Sequence, residues 1–170
     1  FDIESTGLLR RGSTIHCIVM RDMQDPDAPE VFDHKPDRAV IQGIKQLERA
    51  DALIGHNIIN YDVPLIKEQF SDFTFEGELI DTLVLSRLFY PHIIDRDYER
   101  RPTGMPQRLY GRHSLEAWGY RLRCFKGDFG KSDNNDWSVY TPEMLDYCIQ
   151  DTQVTLKLYE LLRRRMQDYE

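Results

Sequence analysis

The sequence predicts an α/β domain built around a mixed β-sheet. Three observations carry this reading: a β-meander in the first third, alternating helical and strand patterns in the middle, and a long capped helix at the end. Strands, then alternation, then helices is the order of an α/β or α+β architecture.

Residues 1–4 (FDIE) read as a strand, short against the usual five or six residues, so the chain is expected to begin inside something larger. Residues 13–21 (STIHCIVMR) form a second strand. Asp25, Pro26, Asp27 and Pro29 mark a turn, with a third strand near 30–33. Over 37–50, Val40, Ile41, Ile44 and Leu47 share one helical face. The apolar run ADALIGHN (50–57) ends in polar residues, as a buried parallel strand does. A helix follows at 61–70, then a short strand running into a helix within 79–91, stopped by Pro91. Residues 92–112 read as irregular and Arg-rich, 113–122 as a short helix, and 124–140 as loop. For the last helix Thr141 is the cap, Pro142 the first position, and Glu143 an acid suited to a helix start. Its stripe runs through Leu145, Ile149, Thr152, Leu156, Tyr159 and Leu162, and its end is basic at Arg163–Arg165.

Composition narrows the function classes. The 170 residues suffice for one domain with its own core, without disulfide or metal staples. No apolar run approaches the roughly 20 residues of a membrane span, and no basic-then-apolar leader is present. Cys17, Cys124 and Cys148 are odd in number and form no C-x-x-C pair, which points to a reducing compartment. A cytoplasmic, non-secreted, monomeric protein is expected. The net charge of −7 argues against a general polyanion binder. Carboxylates holding divalent cations, however, contribute to an acidic total and still handle phosphates. The five histidines lack ligand spacing, and no G-x-S-x-G elbow, P-loop or G-x-G-x-x-G appears.

Three acidic patterns remain. Asp2 and Glu4 are i and i+2 on a strand, so both carboxylates share one face. Their repulsion grows with burial, and a bound hard cation would remove it. Asp62 begins a helix after a strand that ends near Asn57, where an acid also suits the helix dipole. Tyr147 and Asp151 are i and i+4 on the last helix, where Asp151 alone reads as an ordinary surface acid. Asp81 follows an apolar strand and can cap the next helix.

In this order, D-x-E, N-x-x-x-Y-D and Y-x-x-x-D resemble the motif set of the DEDD superfamily of 3′→5′ exonucleases, in its tyrosine-bearing branch. IDTLVLSRL (80–88) and HSLEAWGYRL (113–122) resemble the proofreading domain of bacteriophage family A replicative DNA polymerases. The resemblance implies an RNase H-like fold with a mixed five-stranded sheet flanked by helices, its first three strands antiparallel. It implies that Asp2, Glu4, Asp62 and Asp151 bind two divalent metals, Mg²⁺ or Mn²⁺, and that Tyr147 with Glu4 orients the attacking water. Ser5 and Leu8 would lie against the terminal nucleotide and Asn57 near the adjacent phosphate. The implied partners are a single-stranded DNA 3′ end and a polymerase domain in the same chain. Oxygen-rich acids from three segments suit such hard cations.

Arg96, Arg100, Arg101, Arg108 and Arg112 fall close together, partly offset by Asp95, Asp97 and Glu99. Arg100 and Arg101 are the candidates for holding strand phosphates, against the plainer reading of a solvated loop. The acids do not separate DNA from RNA, so an RNase D-like enzyme is a rival. So are a non-catalytic nucleic-acid module and a structural domain that packs on a polymerase.

Overall fold

Strand β2 (Ile15–Asp22) is the middle of an antiparallel trio, and its sequence explains why. Ile18 and Met20 face one way and Cys17 and Val19 the other, and all four are buried. A strand apolar on both sides needs cover on both. In the computed structural model, which describes residues 1–7, 12–124 and 136–168, helices provide it. Helices α1 (Val40–Glu48) and α2 (Asp62–Gln69) cover one face, with Ile44, Leu47, Leu65 and Ile66 packed around Ile3, Ile18 and Met20. Helix α6 (Pro142–Gln167) covers the other, through Cys148.

Among the described residues the five strands of the expected mixed architecture lie in two hydrogen-bonded sheets, one of three antiparallel strands and one of two parallel strands. Strand β1 (Asp2–Ser5) and β3 (Asp25–Phe32) flank β2, and β4 (Ala52–Gly55) pairs in parallel with β5 (Glu78–Asp81). The Phe1 nitrogen donates to the Ile54 carbonyl at 2.7 Å, joining the β1 end of the trio to β4. Helices α3 (Thr82–Phe89), α4 (Ile93–Arg100) and α5 (Leu115–Arg121) form a second core with α6 around Tyr90, Ile93, Trp118, Leu158 and Leu162.

The structure differs from expectation in four places. The hairpin turns at Met23–Gln24, and β3 already begins at Asp25. Pro26 and Pro29 are tolerated because β3 is an edge strand, where missing N–H groups cost nothing. Residues 93–100 are helical, not irregular. Ile93 and Asp97, one turn apart, point inward, and the Asp97 carboxylate receives Arg121 Nε at 2.8 Å and Nη2 at 2.7 Å. That tertiary pair holds a helix whose charged composition argues for loop. In α1, Ile41 is exposed, and Gly43 instead lies against Phe32, where an added Cβ would come within 2.8 Å of the ring. In α6 the buried line is Met144, Cys148, Thr152 and Thr155 toward the sheet, with Val154, Leu158 and Leu162 toward the helices; Leu145 and Ile149 only flank it. The start of α6 is as expected, with Thr141 Oγ1 accepting from the Met144 N–H at 3.2 Å.

Candidate active site

Three elements deliver the four acids. On β1, Ile3 enters the core under α1 and α2, so its neighbours Asp2 and Glu4 face α6. Their cross-strand partners Val19 and Cys17 face the same way. Asp62 is the first residue of α2, buried beside β1 because β4 lies next to it. Asp151 and Tyr147 sit one turn apart on α6, and Tyr147 hydrogen-bonds the Asp151 carboxylate. Trp137 packs edge-on against the Tyr147 ring, centroids 6.3 Å apart.

The turn between β4 and α2 is held by Asp81. As expected it caps α3, accepting from Leu83 N at 2.9 Å and Val84 N at 3.4 Å. It also reaches back to Asn57 N at 2.9 Å and Ile59 N at 3.1 Å. Asn57 adopts the left-handed region, φ 64°, which asparagine tolerates better than most residues. Asp81 therefore fixes the loop that leads into Asp62. A second lock joins β1 to this loop: Tyr61 Oη lies 2.7 Å from Ser5 Oγ and also donates to the Gly7 carbonyl.

Four carboxylates so placed do not ionise freely. Burial pushes Asp2 up to about 6, against the hydrogen bond from Cys148. Burial first, and then the charges of Asp2 and Asp151, push Glu4 up to about 10. Asp62 and Asp151 are raised well above the ordinary range, each by burial and then by Asp2. Tyr147 is also raised, by burial and the charges of Asp151 and Glu4, so its phenol stays protonated. Asp62 Oδ1 is buried with no hydrogen-bond partner. An orphaned carboxylate oxygen among acids that repel one another fits a hard divalent cation, which would supply both partner and charge.

Asp2, Asp62 and Asp151 line a cleft of about 460 Å³ with Asn57, Arg87 and Arg112. His56 lies in the same wall, lowered to about 4 by burial, so it is neutral at pH 7. A depression of about 500 Å³ beside Met23, Gln24 and Tyr159 has only the solvent-exposed acids Asp22 and Asp51, so the chemistry is assigned to the first cleft.

The predicted substrate contacts separate. Asn57 lines the cleft. Ser5 is buried, and its hydroxyl also donates to the Gly7 carbonyl at 3.0 Å, so here it supports the strand exit. Leu8 lies outside the described residues. Arg100 and Arg101 stand exposed at the end of α4, apart from the residues that line the cleft. Arg112 and Arg87 take that place, and neither forms an ion pair among the described residues. The arginine count signals Arg112, but nothing in the sequence distinguishes Arg87.

A family model of the RNase H superfamily matches residues 1–163. The chain belongs to that superfamily. It is also similar to two proteins described as DNA-directed DNA polymerase, from Enterobacteria phage T3 and Escherichia phage T7. Each is 34% identical over 95% of this chain. The chain spans 26% of the length of each. The superfamily match spans the positions of all four acids, Asp2, Glu4, Asp62 and Asp151. Among the described residues no helix is long and apolar enough to cross a membrane.

Proposed function

We propose that the chain is a metal-dependent 3′→5′ exonuclease that removes nucleoside 5′-monophosphates from single-stranded or frayed DNA 3′ ends, as a proofreading domain does. The observation that carries this reading is the convergence of Asp2, Glu4, Asp62 and Asp151 from β1, α2 and α6, with one carboxylate oxygen buried and unpartnered. These acids would hold two Mg²⁺ or Mn²⁺ ions, which activate water, stabilise the leaving oxygen and clamp the phosphate. The protein's own groups do the rest. Glu4 and the protonated phenol of Tyr147 flank the acids and orient a water for in-line attack on the last phosphodiester. The bond to the 3′ oxygen of the preceding nucleotide breaks, leaving a 3′-hydroxyl on the strand. Arg87 and Arg112 draw strand phosphates into a cleft that is otherwise acidic. Asn57 lies beside them.

The likeness to DNA polymerases favours DNA over RNA, and so over an RNase D-like activity. The relatives are about four times as long as the matched region, which supports a polymerase domain in the same chain and, if the source is a phage, action in the host cytoplasm. The test is product analysis on 5′-labelled single-stranded DNA with and without Mg²⁺. A ladder shortening one nucleotide at a time from the 3′ end supports the reading. A binding shift without products points to a non-catalytic module.

A further inference from the structure

Cys148 has no part in the mechanism above, yet it touches the metal centre. It follows Tyr147 directly on α6, three residues before Asp151, and is fully buried between the helix and the sheet. Its Sγ lies 3.4 Å from Asp2 Oδ2 and 3.5 Å from the Asp2 carbonyl oxygen. Donor atoms of Asp2, Glu4 and Cys148 all lie within 4.8 Å of one another. Independently, the unpartnered oxygen of Asp62, a residue only 3% exposed, belongs to the cleft that Asp2 lines. The Asp62 oxygen lacks a partner beside Asp2, and the cluster of Asp2, Glu4 and Cys148 donors stands next to it.

We propose that Cys148 is a soft ligand at the metal centre, completing with Asp2 and Glu4 a mixed oxygen–sulfur site for a thiophilic divalent cation such as Zn²⁺ or Cd²⁺, in competition with Mg²⁺. The spacing suits one shared ion. With metal–oxygen and metal–sulfur bonds of roughly 2.1 and 2.3 Å, a 3.4 Å separation of Sγ and Oδ2 subtends about 100° at the metal, between the octahedral and tetrahedral values. On binding, the S–H bond breaks, its proton leaves to solvent, and the thiolate lone pair forms the bond to the metal. Mg²⁺ is hard and takes oxygen, so it gains little from sulfur. A thiophilic ion gains a third strong ligand and occupies Asp2 and Glu4, which stops cleavage. The device is a metal filter: an oxygen-seeking ion works, and a sulfur-seeking one is captured and inhibits.

The inference rests on the metal-centre reading of Asp2 and Glu4, but its test does not need nuclease activity. The 170-residue chain is titrated with Cd²⁺, following the ultraviolet thiolate-to-cadmium charge-transfer band and the cadmium-113 resonance. The wild type is expected to give the band at one equivalent, with a resonance well downfield of the all-oxygen range. Cys148→Ser removes the band and lowers Cd²⁺ affinity by at least about tenfold, and Asp2→Asn lowers it too. A band that survives Cys148→Ser assigns the sulfur to Cys17 or Cys124 and overturns the proposal. So does an all-oxygen resonance in the wild type, a result that stands even if the serine variant fails to fold. A Mg²⁺-dependent nuclease without the band overturns this inference alone. The band in a protein without nuclease activity overturns the proposed function and leaves the inference intact.

Discussion

Two sets of buried aspartates in this molecule answer the same problem in opposite ways. Asp33 and Asp97 are 1% and 2% exposed and fully served. Asp97 takes a two-pronged Arg121 and the Gly111 N–H at 2.9 Å. Asp33 takes Arg38 at 2.7 and 3.1 Å, the Lys35 N–H at 2.9 Å and Tyr140 at 3.1 Å. Burial works to raise Asp33, but those hydrogen bonds overcome it and hold its carboxyl low. Asp62 is 3% exposed, keeps an oxygen without a partner, and is pushed up. A buried acid whose partners come from the protein is part of the scaffold. Asp62, left with an unpartnered oxygen beside Asp2 and Asp151, is where the proposed cations would supply one.

The sharpest break of this comparison is to mutate two acids of the site and, separately, one aspartate of the scaffold. Asp2→Ala with Glu4→Ala is expected to lower exonuclease rate more than about a thousandfold, roughly 4 kcal/mol of barrier. The melting temperature without metal should hold or rise, because repulsion is relieved. Near-normal rates under excess Mg²⁺ would sink the site assignment. Asp97→Ala should do the reverse. It strands a nearly buried guanidinium, whose Arg121 side chain is 9% exposed, and so costs about 3–5 kcal/mol of stability. Melting should fall by roughly 10 °C or more. If thermal denaturation shows the two variants shifting alike, the division into scaffold and site is wrong.

How much of this was legible beforehand follows the same line. Local spacing puts Asp2 with Glu4 on one strand face and Tyr147 with Asp151 on one helix face, but it leaves Asp62 a helix-start acid and Asp151 a surface acid. The five were named together only because the three patterns, in order, resemble a known motif set. The caps at Thr141 and Asp81 were legible from local sequence. What stayed hidden depends on contacts between distant segments. In the sequence Asp97 reads as an acid offsetting its arginine neighbours, since its partner Arg121 lies 24 residues away, and without that pair nothing marks α4 as a helix. Cys148 falls inside DYCIQD but is significant only once β1 lies against α6. Arg87 reads as the solvent side of an amphipathic helix until α3 is seen beside the cleft.

Acidity separates the two sets next. Asp2 and Glu4 are raised to about 6 and about 10 in the fold, so folding favours their protonated forms. Their contribution is fully favourable below the ordinary carboxylate range near 4 and is lost as pH rises through those folded values. Asp33 is held low, so its contribution is present above that range and lost on acidification. The gain in melting temperature on adding Mg²⁺ should therefore grow from pH 5 to pH 8, as the ion replaces protons that the cluster otherwise keeps. A Mg²⁺ effect that is flat across this range in calorimetry would mean the acids do not titrate as a cluster. Tyr147→Phe is expected to act more weakly, by about tenfold on rate, a contribution of about 1.4 kcal/mol. It should leave Mg²⁺ affinity unchanged in isothermal titration, whereas Asp151→Asn should weaken both. Equal behaviour of the two variants would make the tyrosine a ligand.

The arginines extend the comparison to the opposite charge, with the smallest expected effect. Arg121 and Arg38 are occupied by Asp97 and Asp33. Arg87 and Arg112 are exposed and line the acidic cleft with no such partner among the described residues. A cleft of carboxylates repels a phosphate chain, so unpaired cations in its wall have a use that the paired ones do not. Each phosphate contact on a single strand contributes about 0.7 to the slope of log affinity against log salt. Replacing Arg87 and Arg112 together by alanine should flatten that slope by up to about 1.4. Arg100 and Arg101, at the end of α4 and away from the cleft, should change it less. Base sequence should matter little in either case, since phosphate contacts carry no sequence information. The measurement is single-strand binding across a salt series with Ca²⁺ in place of Mg²⁺, so that the strand stays intact. A larger loss from the α4 pair would move the strand's path off the cleft wall and onto the α4 surface, where the arginine count first placed it.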